Sequence, residues 1–435
     1  MKSEPQIRFS RALLVIIIFI DMMAFTVILP VMPDLMHYYF TETRMPEFLV
    51  SGAAFLNDPR TGQSGSEVML GGFIISIWAL MQFFFMPFWG RLSDRTGRKK
   101  ILIITASGQV VASLIWAFAV TLPYFLIYRI LGGVMSGNIS VAYAAMADIS
   151  EKRDRTKYMG MLGAAGGIGM IAGPVAGGML THPSIQNILA GHPSLHPFSA
   201  CAFAGVILFI LNTVLMFKFR DTKIISADIS SPENIPPDLP LLSLSFRPNF
   251  YLPGFARLAS LNFLFCFSLA GIELILPYFL KSRLGSTAAV IGFIFLFIGI
   301  TMAIGQSMLI PFLLKRISEK SIAFLGFGLI PVPLLIIAFF VNSYTFTIIN
   351  IIPVVIGIAV IGPSLSGMVS HLAPASKQGY ILGLFSSYGS LAYAAGPVLT
   401  AVIYGIGGVY AACSWISLLT LMSLVILKRL NQVRV

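Results

Sequence analysis

The sequence predicts an all-α membrane protein, with twelve transmembrane helices in two pseudo-symmetric six-helix bundles. Three observations carry this expectation. Of 435 residues, 57% are hydrophobic and only 11% charged, whereas soluble domains carry about 25% charged residues. The apolar residues fall in blocks of about 20, the length a helix needs to cross roughly 30 Å of hydrocarbon. Two stretches of the first half also return in the second at nearly constant spacing.

The blocks, numbered here as spans 1 to 12, lie near 12–32, 67–89, 101–120, 122–147, 158–180, 198–217, 258–280, 288–313, 321–341, 344–370, 379–405 and 408–427. Backbone polar groups in lipid must be satisfied within the segment, so blocks of this length read as helices. The remaining residues are too few for a sizeable water-soluble domain. The first block holds Asp21 and lacks a small-x-small cleavage site, so it reads as a retained helix and not a signal peptide. The segment 33–66 reads as a solvated external loop.

The net charge of +12 raises the question of nucleic acid, and its distribution argues against that partner. Of 29 Lys and Arg, 24 fall in the N-terminus, the connections from even to odd spans and the C-terminal tail. The opposite side carries only Arg44, Arg60, Lys281 and Arg283, and Arg129 lies inside a span. This positive-inside bias places both termini in the cytoplasm of a cell inner or plasma membrane. Cys201, Cys266 and Cys413 are odd in number and all lie in apolar blocks, so no disulfide framework is expected. His182, His192 and His196 sit in a Pro-interrupted external loop without a carboxylate nearby, and read as solvated histidines, not metal ligands. No cofactor fingerprint, phosphate-cradling loop or nucleophile–base arrangement is visible. An enzyme is not expected.

The repeat sets the domain organisation. "RLSDRT" (91–96) returns as "RISEKS" (316–321), 225 residues on. "GMLGAAGGIGMIAGPVAG" (160–177) returns as "GLFSSYGSLAYAAGPVLT" (383–400), 223 residues on, and keeps Gly160/Gly383, Gly166/Gly389, Gly173/Gly396 and Pro174/Pro397. Six helices per repeat give both copies the same orientation, as in transporters that rock two bundles about a central site. The boundaries are 1–217 for the N-terminal bundle, 218–257 for a Pro-rich cytoplasmic linker and 258–435 for the C-terminal bundle.

Three local patterns carry chemistry. Between spans 2 and 3, "GRLSDRTGRKK" sets Gly90, Leu92, Asp94, Arg95, Gly97, Arg98 and Lys99 in a very short connection. Glycine permits the tight return. Asp94, Arg95 and Arg98, with Asp148 at the end of span 4, can form an ion-pair relay that closes and opens a cytoplasmic gate. Span 4 carries Arg129 and Gly133 in "YRILGGVMSGN". Span 5 carries Gly169, Gly173, Pro174, Gly177 and Gly178 in "GIGMIAGPVAGG", where small residues four apart admit close helix contact and Pro174 permits a bend.

With these residues the chain resembles the major facilitator superfamily over essentially its whole length. The first pattern is similar to the superfamily's G-x-L-x-D-R-x-G-R-K signature, and the third to the G-x-x-x-G-P-x-x-G-G pattern of antiporters. More narrowly the chain looks like drug:proton antiporters of the tetracycline-efflux type and their tetracycline-transporter-like relatives. The resemblance implies a major facilitator fold, a gate role for Asp94, exchange of substrate for protons, and a functional acid on span 1.

Only Asp21, Arg129 and Glu273 are ionisable residues placed well inside an apolar block. Each costs about 2.5–3.5 kcal/mol or more at the bilayer centre, and so marks a proton-coupling or substrate site by default. Helical spacing sets Arg129, Gly133, Ser136 and Ser140 on one face of span 4, and Asn262 with Glu273 on one face of span 7. Phe25 beside Asp21, with Gln82, Gln306, Ser386 and Tyr393, completes the candidate cavity residues.

The function expected is proton-coupled export of a small amphipathic compound, drug-like or metabolite, by alternating access. The alternative is a facilitator or importer of an organic anion with the same fold, in which Arg129 binds substrate and the acids are structural. The expected partners are the substrate, protons and the bilayer, with the chain a monomer.

Overall fold

The computed structural model describes residues 4–41, 65–150, 155–190, 192–219, 254–340, 343–372 and 378–430. Among these residues the regular structure is helical throughout. The membrane-length helices are Pro5–Thr41, Ser66–Ser93, Arg98–Ala117, Leu122–Asp148, Tyr158–Leu180, Ser199–Lys218, Phe255–Leu284, Ala288–Leu314, Glu319–Phe340, Tyr344–Leu372 and Leu384–Lys428. The last is 45 residues long and leaves helical geometry at Gly407 and Gly408, where φ reaches 63°. It therefore comprises spans 11 and 12, and the twelve blocks of the sequence are accounted for.

Three expectations need correction. Span 1 does not end at residue 32: after a tight turn at Leu29–Val31 the helix resumes over Met32–Thr41, with Leu35, Met36 and Tyr39 fully buried. This stretch is not a solvated loop. An apolar face with period near 3.6 runs through it and was masked by its acid and histidine. Residues 42–64 of the same segment lie outside the described residues, as does 220–253 of the linker.

Span 4 is not one continuous helix. It runs Leu122–Val134, turns, and restarts as Asn138–Asp148. The cause is a cluster of poor helix formers, Gly132, Gly133, Ser136 and Gly137, combined with packing: a Cβ at Gly137 would collide with the Trp89 ring. The carbonyls freed by the break are satisfied in place. Trp89 Nε1 donates to the Val134 oxygen at 2.6 Å, and Gln109 Nε2 donates to that of Gly132 at 2.9 Å.

The chain divides into two compact units, Met1–Ile28 with Leu80–Pro248, and Leu29–Ala79 with Asn249–Val435. In the first, Leu14, Ile17, Ile18, Leu102, Val141 and Met146 form the centre of the core. Span 5 lies directly on span 1, because Gly169 and Gly173 have no side chain. A Cβ at Gly169 would meet the Phe19 carbonyl oxygen, and one at Gly173 would lie 2.5 Å from that of Met23. Thr26 Oγ1 donates across the same seam to the Gly169 oxygen at 3.4 Å.

The second unit repeats this joint. Span 11 lies on span 7, where a Cβ at Gly396 would stand 2.9 Å from the Phe267 oxygen and one at Gly389 3.1 Å from the Asn262 amide. The repeated pair Gly173 and Gly396 thus does the same packing work in both copies. The segment Leu29–Ala79 also packs within this unit. Gly72 fits against the Pro397 oxygen, where a Cβ would be 2.7 Å away, and Gly71 fits under the Tyr278 hydroxyl.

Candidate functional site

The polar connection between spans 2 and 3 is held by hydrogen bonds and an ion pair. Gly97 takes φ 102°, a left-handed value open to glycine, and turns the chain between Thr96 and Arg98. Arg98 Nε donates to Asp148 Oδ2 at 2.9 Å, and its Nη1 donates to Ser93 Oγ at 2.6 Å. Ser93 in turn donates to the Gly90 oxygen at 2.7 Å. Lys99 Nζ reaches the Phe217 oxygen at 2.6 Å, tying span 3 to the end of span 6. Leu92 joins the core and Arg95 is exposed. The side chain of Asp94 lies outside the described residues.

Asp21 is buried, and its Oδ1 accepts a hydrogen bond from the Asn138 amide. Asn138 was not foreseen as a site residue. It opens the second stretch of span 4, immediately after the break, and only the break puts it opposite Asp21. Arg129 is 1% exposed in the stretch before the break. Its guanidinium carbon lies 5.8 Å from the Tyr128 ring centroid, and Tyr128 stacks on Trp116 at 5.1 Å. Asp21 and Arg129 are therefore served by different pieces of span 4. Ser136 and Ser140 turn their hydroxyls back to the Gly133 and Gly137 oxygens, at 2.7 and 2.9 Å. The continuous stripe expected from Arg129 to Ser140 is interrupted.

Glu273 belongs to the second unit. It is half-buried, and Tyr393 donates its hydroxyl to Oε1 at 3.5 Å. Asn262, eleven residues earlier, donates to the Phe385 oxygen at 2.9 Å. Both residues meet span 11, in keeping with a shared face of span 7, but Asn262 is spent on the joint. Phe25 and Gln82 are half-buried, and Gln306 and Ser386 are exposed. Of the span 5 motif, Gly169 and Gly173 carry the contact with span 1; Gly177 and Gly178 are buried beyond the interior Pro174.

A further polar cluster, unsuspected from the sequence, lies within the second unit. Asp34 and Lys281 form an ion pair, His37 Nδ1 stands 2.9 Å from Glu67 Oε1, and Tyr278 donates to the Glu67 carbonyl at 3.3 Å. Lys281 and Asp34 lie in segments read as outside the membrane, so sequence spacing gave no sign of their meeting.

His196 also departs from expectation. It is 1% exposed, with Nε2 2.9 Å from the Trp116 oxygen. Burial pushes its imidazole down to about 4, with the hydrogen bond to Trp116 opposing. His182 and His192 are exposed, as foreseen.

A family model, the Major Facilitator Superfamily, matches residues 14–397. The chain belongs to this superfamily. It is thus a multi-pass membrane transporter by family, and not an enzyme. It is 26% identical to mouse major facilitator superfamily domain-containing protein 10, over 97% of this chain and 94% of that one. It is 27% identical to the class B tetracycline resistance protein of Escherichia coli, over 91% and 88% of the two chains. Among solved structures it resembles the human organic anion transporter MFSD10 (TETRAN), with TM-score 0.71 and 23% identity over 98% of this chain and 100% of that one. It also resembles a D-xylose–proton symporter, with TM-score 0.74 and 15% identity over 97% of each chain.

Proposed function

We propose that the chain exports a small amphipathic compound in exchange for protons, by alternating access. One observation carries this reading: the two acids set within apolar spans are each held by a neutral partner, Asp21 by Asn138 and Glu273 by Tyr393. An acid locked to a lysine or arginine must break an ion pair to change its charge. An acid held by an amide or a phenol exchanges a proton while keeping its place, which is what a coupling carboxyl needs. Protonation cancels a charge that is costly in the membrane interior, so the empty transporter can reorient. A cargo competing with the proton for the same carboxyl makes the exchange obligatory.

The segment Leu29–Ala79 supports alternation. By repeat it belongs to the first bundle, yet it packs with the second unit through Asp34–Lys281, Gly72 and Tyr278. On the positive-inside reading this is the external side, with both termini cytoplasmic, and alternating access requires these contacts to part in one of its states. On the opposite side, Arg98 pairs with Asp148.

Tetracycline resistance proteins among the relatives support a drug-like cargo. A second reading rests on Arg129, a cation at 1% exposure within a span. Together with the likeness to the human organic anion transporter MFSD10, it favours organic anion transport. Uptake of a panel of cationic and anionic fluorescent compounds into inside-out vesicles separates the two. Proton-coupled export gives accumulation that a protonophore abolishes. Accumulation of anions alone, insensitive to the protonophore, overturns export in favour of the second reading.

A further inference from the structure

Spans 8, 9 and 10 leave an open groove of about 290 Å3, lined by Leu309, Leu313, Phe324, Leu325, Gly328 and Val360 among others. Every lining residue is apolar, and Phe324 and Leu325 are 43% and 51% exposed. Such a surface on membrane spans faces hydrocarbon. Its floor is closed, since Ile322 and Val360 are buried.

Two features of the chain hold the groove open. Span 8 passes through a π-helical turn at Gly305–Leu309 before its last turn, Ile310–Leu314. The wider turn shifts the side chains of that end out of the register of the preceding helix. Gly328 leaves the second gap. A Cβ there would meet no atom within 4 Å, whereas one at Gly326, two residues earlier, would lie 2.7 Å from Ile361. Gly326 is needed for the contact between spans 9 and 10. Gly328 is not needed for any contact, and its missing side chain only enlarges the groove.

Two cations follow the groove's lining in sequence. Lys315 and Arg316 come two and three residues after Leu313, at the end of span 8, and both are exposed. The Arg316 guanidinium carbon lies 4.7 Å over the Phe312 ring. Among the described residues neither side chain is in an ion pair. The nearest acid in sequence, Glu319, is turned to His371 Nε2 at 3.4 Å, and Lys320 is tied to the Leu430 carbonyl. Two exposed cations, unpaired among the described residues, thus directly follow the span that lines the apolar slot.

We propose that this groove is a binding site for an anionic glycerophospholipid, with one acyl chain between spans 8 and 9 and the headgroup phosphate held by Lys315 and Arg316. Arginine and lysine are the usual donors to phosphate oxygens, and basic clusters beside membrane helices select anionic lipids. The site needs only that the chain spans a bilayer, and stands whether or not the export reading does.

Native mass spectrometry of the full chain, titrated in detergent with dioleoyl phosphatidylglycerol or dioleoyl phosphatidylcholine, tests it. The wild type should retain phosphatidylglycerol at least about fivefold better, roughly what one cation contributes at a membrane surface. Lys315→Gln with Arg316→Gln should erase that preference. Gly328→Phe, whose Cβ has open space around it and whose ring would extend into the slot, should reduce retention of both lipids while leaving the thermal unfolding midpoint unchanged. Glycerol phosphate, which has the charge without the chain, should not compete. Equal retention of the two lipids by the wild type, an undiminished preference in the double variant, full retention by Gly328→Phe, or competition by glycerol phosphate each overturns the proposal. The first of these would mean that the two cations only snorkel to the interface.

Discussion

His371 stands in the second repeat where Asp148 stands in the first: the two are 223 residues apart, the spacing that relates Gly160 to Gly383. Each ends a span and holds the start of the span before it in its own unit. Asp148 binds Arg98 at 2.9 Å, and His371 meets Glu319 at 3.4 Å. Both copies therefore join the end of one span to the start of the span before it, but through different positions, since Glu319 is the repeat counterpart of Asp94 and not of Arg98.

The two joints should differ in strength. Arg98 is 13% exposed and also bound to Ser93, while His371 is 54% exposed. Arg98→Gln should lower stability by about 1–3 kcal/mol, the worth of a hydrogen bond to a charged group. His371→Gln should cost about 0–1 kcal/mol, as exposed pairs do. Thermal unfolding of the two purified variants checks the order, and a larger loss from His371→Gln would contradict it.

The seam between spans 1 and 5 predicts a contrast among neighbouring glycines. Gly169→Ala places a methyl against the Phe19 carbonyl, and should destabilise by about 1–3 kcal/mol through overpacking. Gly167, where a Cβ meets nothing within 4 Å, should gain up to about 1 kcal/mol as alanine, from helix propensity alone. Expression level and melting temperature in detergent report both.

Acid should weaken the first unit through His196. Its imidazole is pushed down to about 4 in the folded chain, against an ordinary value of 6.5. The folded pKa is depressed, so the unfolded chain binds the proton first. Stability from this residue is complete above the ordinary value and is lost as pH falls toward the folded one, by up to about 1.4 kcal/mol per pH unit. His196→Gln should flatten that slope. An unchanged slope in the variant would assign the acid loss to other groups.

The contact around Gly72 can be locked. A Cβ at Gly72 would stand 2.7 Å from that of Ala401 and equally near the Pro397 carbonyl oxygen, so the two helices must part by about 1 Å or more to admit the roughly 3.5–4.5 Å of a disulfide. In a chain whose native cysteines are replaced, Gly72→Cys with Ala401→Cys should cross-link under oxidation. Transport should stop and return on reduction. Full transport by the oxidised pair would mean that these helices never part.

Much of the fold is legible in the sequence, because bilayer thickness fixes helix length and lipid forbids unsatisfied backbone. The small residues of span 5 announced a close helix contact, though not that its partner is span 1. Less visible was anything that depends on a break or a distant partner. Asn138 is an unremarkable amide until the turn at Met135–Gly137 aims it at Asp21. A continuous 3.6 period carried across that turn grouped Ser136 and Ser140 with Arg129, although four poor helix formers in six residues were a signal. His196 was read from its loop's composition, and only the fold brings the Trp116 carbonyl to it. Lys281 and Asp34 looked like loop charges because each lies outside its apolar block.

Coupling through the two neutral-partnered acids is tested most directly in proteoliposomes with an imposed proton gradient, comparing wild type, Asp21→Asn and Glu273→Gln. Substrate movement should follow the gradient in the wild type. At least one of the two variants should lose that dependence, by about two orders of magnitude or more in accumulation, since each acid neutralised removes the proton's place, while still exchanging substrate without a gradient. Gradient-driven accumulation at wild-type levels in both variants would contradict the mechanism.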